Sequence, residues 1–240
     1  EGPYAFKHNN KYYLTFPWVQ DKTETLAYAM ADSPMGPFTF TGIIMDESPS
    51  GCWTNHHSIT EYNGQWYLFY HHNDYSPNFD KNRSARIDSL FFNTDGTIKK
   101  VKPTLRGVGI TDARSKIQID RYSTISPYGV TIDYLEPSNT FEGWQTLFNR
   151  AGTWVTYNKV DFGTTPVKRL KARVRSEKGG AITLRTPGEK GMTIAELPIK
   201  PTGKWTEIST NVSNAPTSMQ DLIITQTGEN PVAVDWISFE

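Results

Sequence analysis

The chain contains a single cysteine, Cys52. No disulfide can therefore form within it, and cysteine usage leaves the redox compartment open. Net charge is also lacking, with 25 Lys and Arg balancing 25 Asp and Glu. Nothing in that balance draws the chain to nucleic acid or to an acidic membrane surface. No apolar run approaches the roughly 20 residues that span a bilayer, and no segment carries a convincing amphipathic helical pattern. The chain begins without Met or a recognisable leader, so an export route cannot be read from it. Aromatic side chains, by contrast, are plentiful at 13%, and 18 Gly and 15 Pro recur along the whole length. That usage suits many short strands joined by turns.

The first hundred residues repeat. "FKHNNKYYLTF" (6–16) superposes on "TEYNGQWYLFY" (60–70), pairing Asn9 with Asn63, Tyr13 with Tyr67 and Leu14 with Leu68. Each copy predicts a strand, a two-residue turn at Asn-Asn or Asn-Gly, and a second, aromatic strand. Two more strand-like runs follow each hairpin, in 26–42 and 85–101. Four strands repeating every 50-odd residues is the pattern of a β-propeller blade. Two blades cannot close a ring, so the reading expects a piece of a larger propeller, its other blades N-terminal to this chain.

The pattern loosens over 101–115, and residues 106–115 read as a linker. Beyond it, "TWVTYNKVDF", "RLKARVR", "AITLR", "DLIIT" and "VAVDWISF" alternate between turns such as "EKGG" and "TGENP". This predicts a second all-β domain, a sandwich over 116–240. Within "KRLKARVR" (168–175), Leu170, Ala172 and Val174 fall on one face, leaving Lys171, Arg173 and Arg175 as a solvated strand face.

"EGP" ahead of "YYL", together with "NHHSITEYNGQWYLFYHH" and "NRSARIDSLFFNTDGTIKKV", resembles the five-bladed propellers of glycoside hydrolase family 43. The resemblance covers about residues 1–105, which would be the last two blades. It implies an inverting glycosidase in which Glu1 is the general acid. It further implies that Arg83, twelve residues before Asp95-Gly96, faces substrate, and that His56 stands near the channel and helps hold a central calcium, often through water. Bottom-up, the repeat sets Glu1 opposite Asn55, at the head of an innermost strand where a pocket would form. Glycoside hydrolysis needs a protonated carboxylic acid there and a second carboxylate to activate water. No second Asp in 1–105 recurs at a matching position, so the base is expected on blades outside this chain, which alone should be inert. Were Glu1 terminal, its own ammonium would also favour the carboxylate. A frayed, solvated Glu1 and a surface Arg83 are the plain alternatives. Trp18, in the loop after the first hairpin, is either a sugar platform or core. The His56-His57 and His71-His72 pairs can each offer one ligand to a given site, and no Cys or Glu-x-x-His spacing completes a zinc set.

The second half is similar to carbohydrate-binding module family 6, a jelly-roll β-sandwich, through "IQIDRYS" (117–123), "AGTWVTYNKVDFG" (151–163) and "VDWISF" (234–239). The similarity implies a structural calcium on Gln118, Asp120 and Asp235, for which a hydrogen-bonded cluster without metal is the alternative. It also implies a sugar gripped between Trp205 and a second aromatic ring, because rings offer broad apolar contact at little entropic cost. Six residues before Trp154 stands Phe148, with Trp144 as competitor. The family's cleft asparagine is Ala233 here, so the module may instead be degenerate and structural.

Together these readings predict an all-β chain from a secreted or periplasmic hydrolase of arabinose- or xylose-containing plant polysaccharides, of the arabinofuranosidase or xylosidase type. Its partner is a cell-wall polysaccharide or oligosaccharide, with neither nucleic acid nor membrane involved. The rivals are a non-catalytic sugar-binding protein, with the sandwich as its active part, and a structural protein whose sandwich braces the propeller.

Overall fold

A computed structural model describes residues 2–75, 80–81, 83–189 and 191–240. Among them the regular elements are strands, apart from one 3-10 turn at Thr140–Glu142. The chain divides into two compact units, Glu1–Val108 and Gly109–Glu240.

The first unit opens with an antiparallel sheet in chain order: β1 (Tyr4–His8), β2 (Lys11–Val19), β3 (Glu24–Ala31) and β4 (Thr39–Met45). A second sheet follows, made of β5 (His57–Tyr62), β6 (Gln65–His72) and β7 (Ser84–Leu90). The two hairpins keep the repeat to the residue: His8 lies opposite Lys11, and Tyr62 opposite Gln65. All four turn residues have positive φ, at 44° and 61° for Asn9-Asn10 and 51° and 77° for Asn63-Gly64. A two-residue loop matched to strand twist requires that conformation.

The second sheet departs from the repeat. Its expected fourth strand is reduced to a bridge between Phe92 and Ile98, because the backbone beyond Asp95-Gly96 bonds to the first sheet instead. The Tyr13 hydroxyl donates to Gly96 O (2.6 Å), Ile98 N donates to the Tyr28 hydroxyl (3.0 Å), and Val101 N donates to Ile44 O (2.7 Å). Tyr13, Tyr28, Ile44, Ile59, Leu68, Leu90 and Val101 accordingly share one core across both sheets.

The second unit is a β-sandwich. One sheet orders β10 (Thr124–Ile125), β13 (Trp154–Asp161), β18 (Met219–Gln226), β15 (Gly180–Arg185) and β16 (Thr193–Ile199), with β8 (Thr111–Asp112) parallel to β13. The other orders β11 (Val130–Tyr134), β12 (Trp144–Phe148), β19 (Val232–Phe239), β14 (Arg169–Arg175) and β17 (Thr206–Asn211), with β9 (Ile117–Gln118) also on β19. Inward residues of both sheets, among them Phe148, Phe162, Leu170, Ile182, Leu222 and Phe239, form a single core.

The division between the units falls inside residues 106–115, the expected linker, and each end of that segment bonds to the unit it adjoins. Gly107 N bonds to the Thr104 hydroxyl within the first unit. Farther on, Thr111–Asp112 is a strand, and Ala113 is fully buried in the second core, its carbonyl accepting from Phe239 N.

Candidate functional site

In the first unit, polar side chains converge where β5 begins and β6 ends. Asn55 is buried, and its N–H donates to Glu24 Oε2 at 2.6 Å; Glu24 is itself buried, and its own N–H bonds to Trp53 O. His56 N donates to His71 Nε2 at 3.1 Å, so the His71 proton sits on Nδ1. The Thr15 hydroxyl donates to Tyr4 O (2.9 Å) and therefore accepts from His57 Nε2 (2.6 Å), leaving His57 Nδ1 as the lone-pair nitrogen. Burial pushes His57 down to about 4, helped by the charge of His56. It also pushes His71 to about 4, helped by the positive charge of Arg83 and by the neighbouring His56 and His72 rings. His72 is lowered by burial against the opposing pull of Asp74. These rings are neutral at pH 7, and His57 Nδ1, His71 Nδ1, His72 Nε2 and Asn55 Oδ1 are buried without partners among the described residues. Buried groups left unpaired in this way call for a functional role or a bound water or ion.

Gly2 joins this surface. A Cβ there would lie 3.1 Å from the His56 ring, and its φ of +56° favours glycine. Glu1 itself, read as the acid, lies outside the described residues. Arg83, just before β7, is exposed, and its charge reaches His71. Trp18 is not in a loop but in β2, opposite Thr25. Strand parity puts it on the other face from Tyr13 and Thr15, where it meets Phe40 edge-on at 5.2 Å. The structure therefore does not bring Trp18 together with the histidines.

Two buried clusters escaped the sequence reading. Arg86 donates to Asp74 Oδ2 at 2.6 Å and lies over the Tyr75 ring. Asp88 accepts from the Tyr70 hydroxyl (2.6 Å) and from Thr104 N and Oγ1 (3.0 and 2.7 Å). The signal was available: Arg86 and Asp88 occupy the same alternation phase as buried Leu90, and charged residues in the buried phase of a strand need fixed partners.

In the second unit a row of side chains crosses four neighbouring strands. Leu147 on β12 faces Ala233 on β19, Ala233 faces Arg175 on β14, and Arg175 lies beside Trp205, just ahead of β17. Leu147, Ala233 and Arg175, with Glu177, Lys178 and Asn230, line a groove of about 570 Å³. Trp205 is half-buried, with the guanidinium carbons of Arg173 and Arg175 at 5.3 and 5.1 Å from its ring. The basic run is thus not simply solvated: Lys171 pairs with Glu240, Arg173 with Asp235, and Arg175 packs on Trp205. Phe148, expected as the second platform, is fully buried in the core. One position along a strand reverses the face, and the groove residue is its neighbour Leu147. Trp144 is half-buried against Tyr134.

Residues 1–98 match the family described as glycosyl hydrolases family 43, and residues 126–240 match carbohydrate binding module (family 6). The two matches fall in different units of the chain, one in each. An arabinoxylan arabinofuranohydrolase of Paenibacillus polymyxa is 28% identical to it, over 95% of this chain and 40% of that protein. A beta-xylosidase of Xylanibacter ruminicola is 43% identical over 42% of this chain and 31% of its own length. The crystal structure of a glycoside hydrolase family 43 arabinoxylan arabinofuranohydrolase from Bacillus subtilis, in complex with cellotetraose, shares the fold over 100% of this chain and 53% of that one, with a TM-score of 0.60 at 24% identity. The chain spans less than half the length of these two curated relatives.

Calcium at Gln118, Asp120 and Asp235 of the second unit does not fit the donors present. The Asp235 carboxylate accepts from Arg173 Nη1 at 2.7 Å and feels Lys116 as well, while burial raises its pKa. A divalent ion would have to displace one cation and crowd the other. Gln118 lies opposite Trp236 rather than Asp235. Among the described residues, no three His, Cys, Asp or Glu side chains are gathered to hold a metal.

Proposed function

We propose that the chain is the C-terminal part of an inverting glycoside hydrolase that acts on arabinose- or xylose-containing plant polysaccharides, with Glu1 as its general acid. The observation that carries this reading is that a Cβ at Gly2 would lie 3.1 Å from the His56 ring, so the residue after Glu1 runs close to the converging polar groups at the head of β5. The two sheets of the first unit act as adjoining propeller blades. Blades outside this chain supply the base. Without them the chain is inert, because a lone acid cannot activate water.

Arg83 serves as a substrate clamp, its fork of donors suited to sugar hydroxyls or a carboxylate. Buried Asn55 Oδ1, an acceptor without a donor among the described residues, suits the hard-oxygen shell of a calcium ion that His56 approaches through water. Such an ion would supply positive charge at the strand heads. The second unit holds the polysaccharide in the groove lined by Leu147, Ala233 and Arg175, with Trp205 beside Arg175. A polymeric plant substrate places the enzyme outside the cytoplasm, secreted or periplasmic.

In the full-length enzyme, Glu1→Gln is expected to lower kcat on unactivated xylo- or arabino-oligosaccharides at least ~100-fold, since an amide cannot donate the proton. Aryl glycosides with good leaving groups should be spared. Near-normal turnover of unactivated substrate would eliminate the assignment.

A further inference from the structure

The groove of the second unit carries an arginine with no carboxylate partner among the described residues. Arg175 is half-buried, and its one side-chain contact among the described residues is the Trp205 ring, 5.1 Å from its guanidinium carbon. Its neighbours on the same strand face are committed to carboxylates, Arg173 to Asp235 and Lys171 to Glu240. Among the described residues Arg175 forms no such pair, and its charge reaches the exposed Glu136. Ala233 lies between Arg175 and Leu147 in register, and its small side chain leaves the groove floor open beside the guanidinium. Lys178 adds a second positive charge to the lining against the single negative charge of Glu177.

We infer that this groove recognises an acidic sugar, a uronic acid whose carboxylate is held by the Arg175 guanidinium on the floor left open by Ala233. The guanidinium is planar by its own bonding, its position beside the Trp205 ring limits the freedom it can lose on binding, and its N–H fork matches a carboxylate in two parallel hydrogen bonds. Neutral sugars offer no such partner, and Leu147 is a poorer stacking surface than an aromatic ring. The inference rests on the proposed sugar-binding role of the module and names its ligand class.

The test is calorimetric titration of the whole chain with xylotetraose, with xylotetraose bearing one glucuronic acid, and with trigalacturonic acid, at low and high salt. A uronate-bearing ligand is expected to bind at least ~10-fold more tightly than xylotetraose, the advantage shrinking with salt. Which of the two acidic ligands binds more tightly identifies xylan side chain or pectin as the source of the carboxylate. Arg175→Gln should abolish the preference, and Arg175→Lys, which retains charge without the fork, should keep only part of it. Equal affinity for neutral and acidic ligands, or a preference that survives Arg175→Gln in a variant with wild-type circular dichroism, would overturn the uronate assignment and leave sugar binding standing. No binding of any of the three would remove the sugar-binding role and this inference with it.

Discussion

At the scale of single residues, this chain shows how far a sequence pattern can locate a side chain and where it stops. Ala233 was identified as a cleft position from its distance to the Asp-Trp pair, and it does lie on the groove floor. Phe148, taken by counting back from Trp154, missed by one residue, because a count along a loop cannot say which face a strand position takes, whereas pairing can. Leu147 lies opposite Ala233, so its side chain must share the groove. Asp88 carries the sharper energetic consequence. Its carboxylate satisfies Tyr70 and both donors of Thr104, and burial next to that charge raises the Tyr70 pKa. Asp88→Ala would leave these donors without an acceptor in a buried site and should destabilise the first unit by about 3 kcal/mol. Tyr70→Phe removes donor and need together and should cost about 1 kcal/mol. Urea unfolding of both variants checks the difference; equal costs would show that Asp88 contributes only the Tyr70 bond.

At the scale of elements, the internal repeat was legible because turn chemistry and aromatic alternation are local. Asn-Asn and Asn-Gly can hold positive φ at two successive positions, and both hairpins adopt the register that this implies. Gly64 tests the point, since nothing lies within 4 Å of a Cβ built there and its φ is +77°. Gly64→Val should therefore cost about 1–2 kcal/mol from backbone conformation alone. A urea midpoint unchanged by the substitution would show that the turn relaxes to another conformation. The fourth strand of the second sheet was not legible, because its fate depends on distant partners. Tyr28 and Ile44 take the backbone groups that a strand edge would otherwise offer. How the sandwich takes in the end of the linker was not legible for a similar reason: Ala113 is a core residue because β19 and Val160–Asp161 come to meet it.

At the scale of the whole molecule, all five histidines lie before residue 73, so the two units should respond differently to acid. His57 and His71 are held near 4 against an ordinary value of 6.5. As pH falls below 6.5 the unfolded rings take up protons while the folded ones do not. The unfolded state then binds more protons, and stability declines until about pH 4. By pH 5 the loss is about 2 kcal/mol for each ring, confined to the first unit. Asp235, raised by burial, acts in the opposite sense in the second unit, whose stability contribution from this group falls as pH rises through the folded pKa. Denaturant titrations at pH 7 and pH 5 should show the first transition moving and the second nearly still. Equal shifts would mean that the histidines are not the titrating groups. Composition, alternation and turn residues by themselves determined that this chain is all-β, that its front half repeats and that its back half closes into a sandwich, since those properties depend on neighbours a few positions away. Only the tertiary structure decided which charges are spoken for. Arg173 and Arg175 are two positions apart on one strand face, yet one meets Asp235 and the other a Trp205 ring beside an open floor. Partnership between side chains is set by which strands lie side by side, and the order of residues along the chain does not state it.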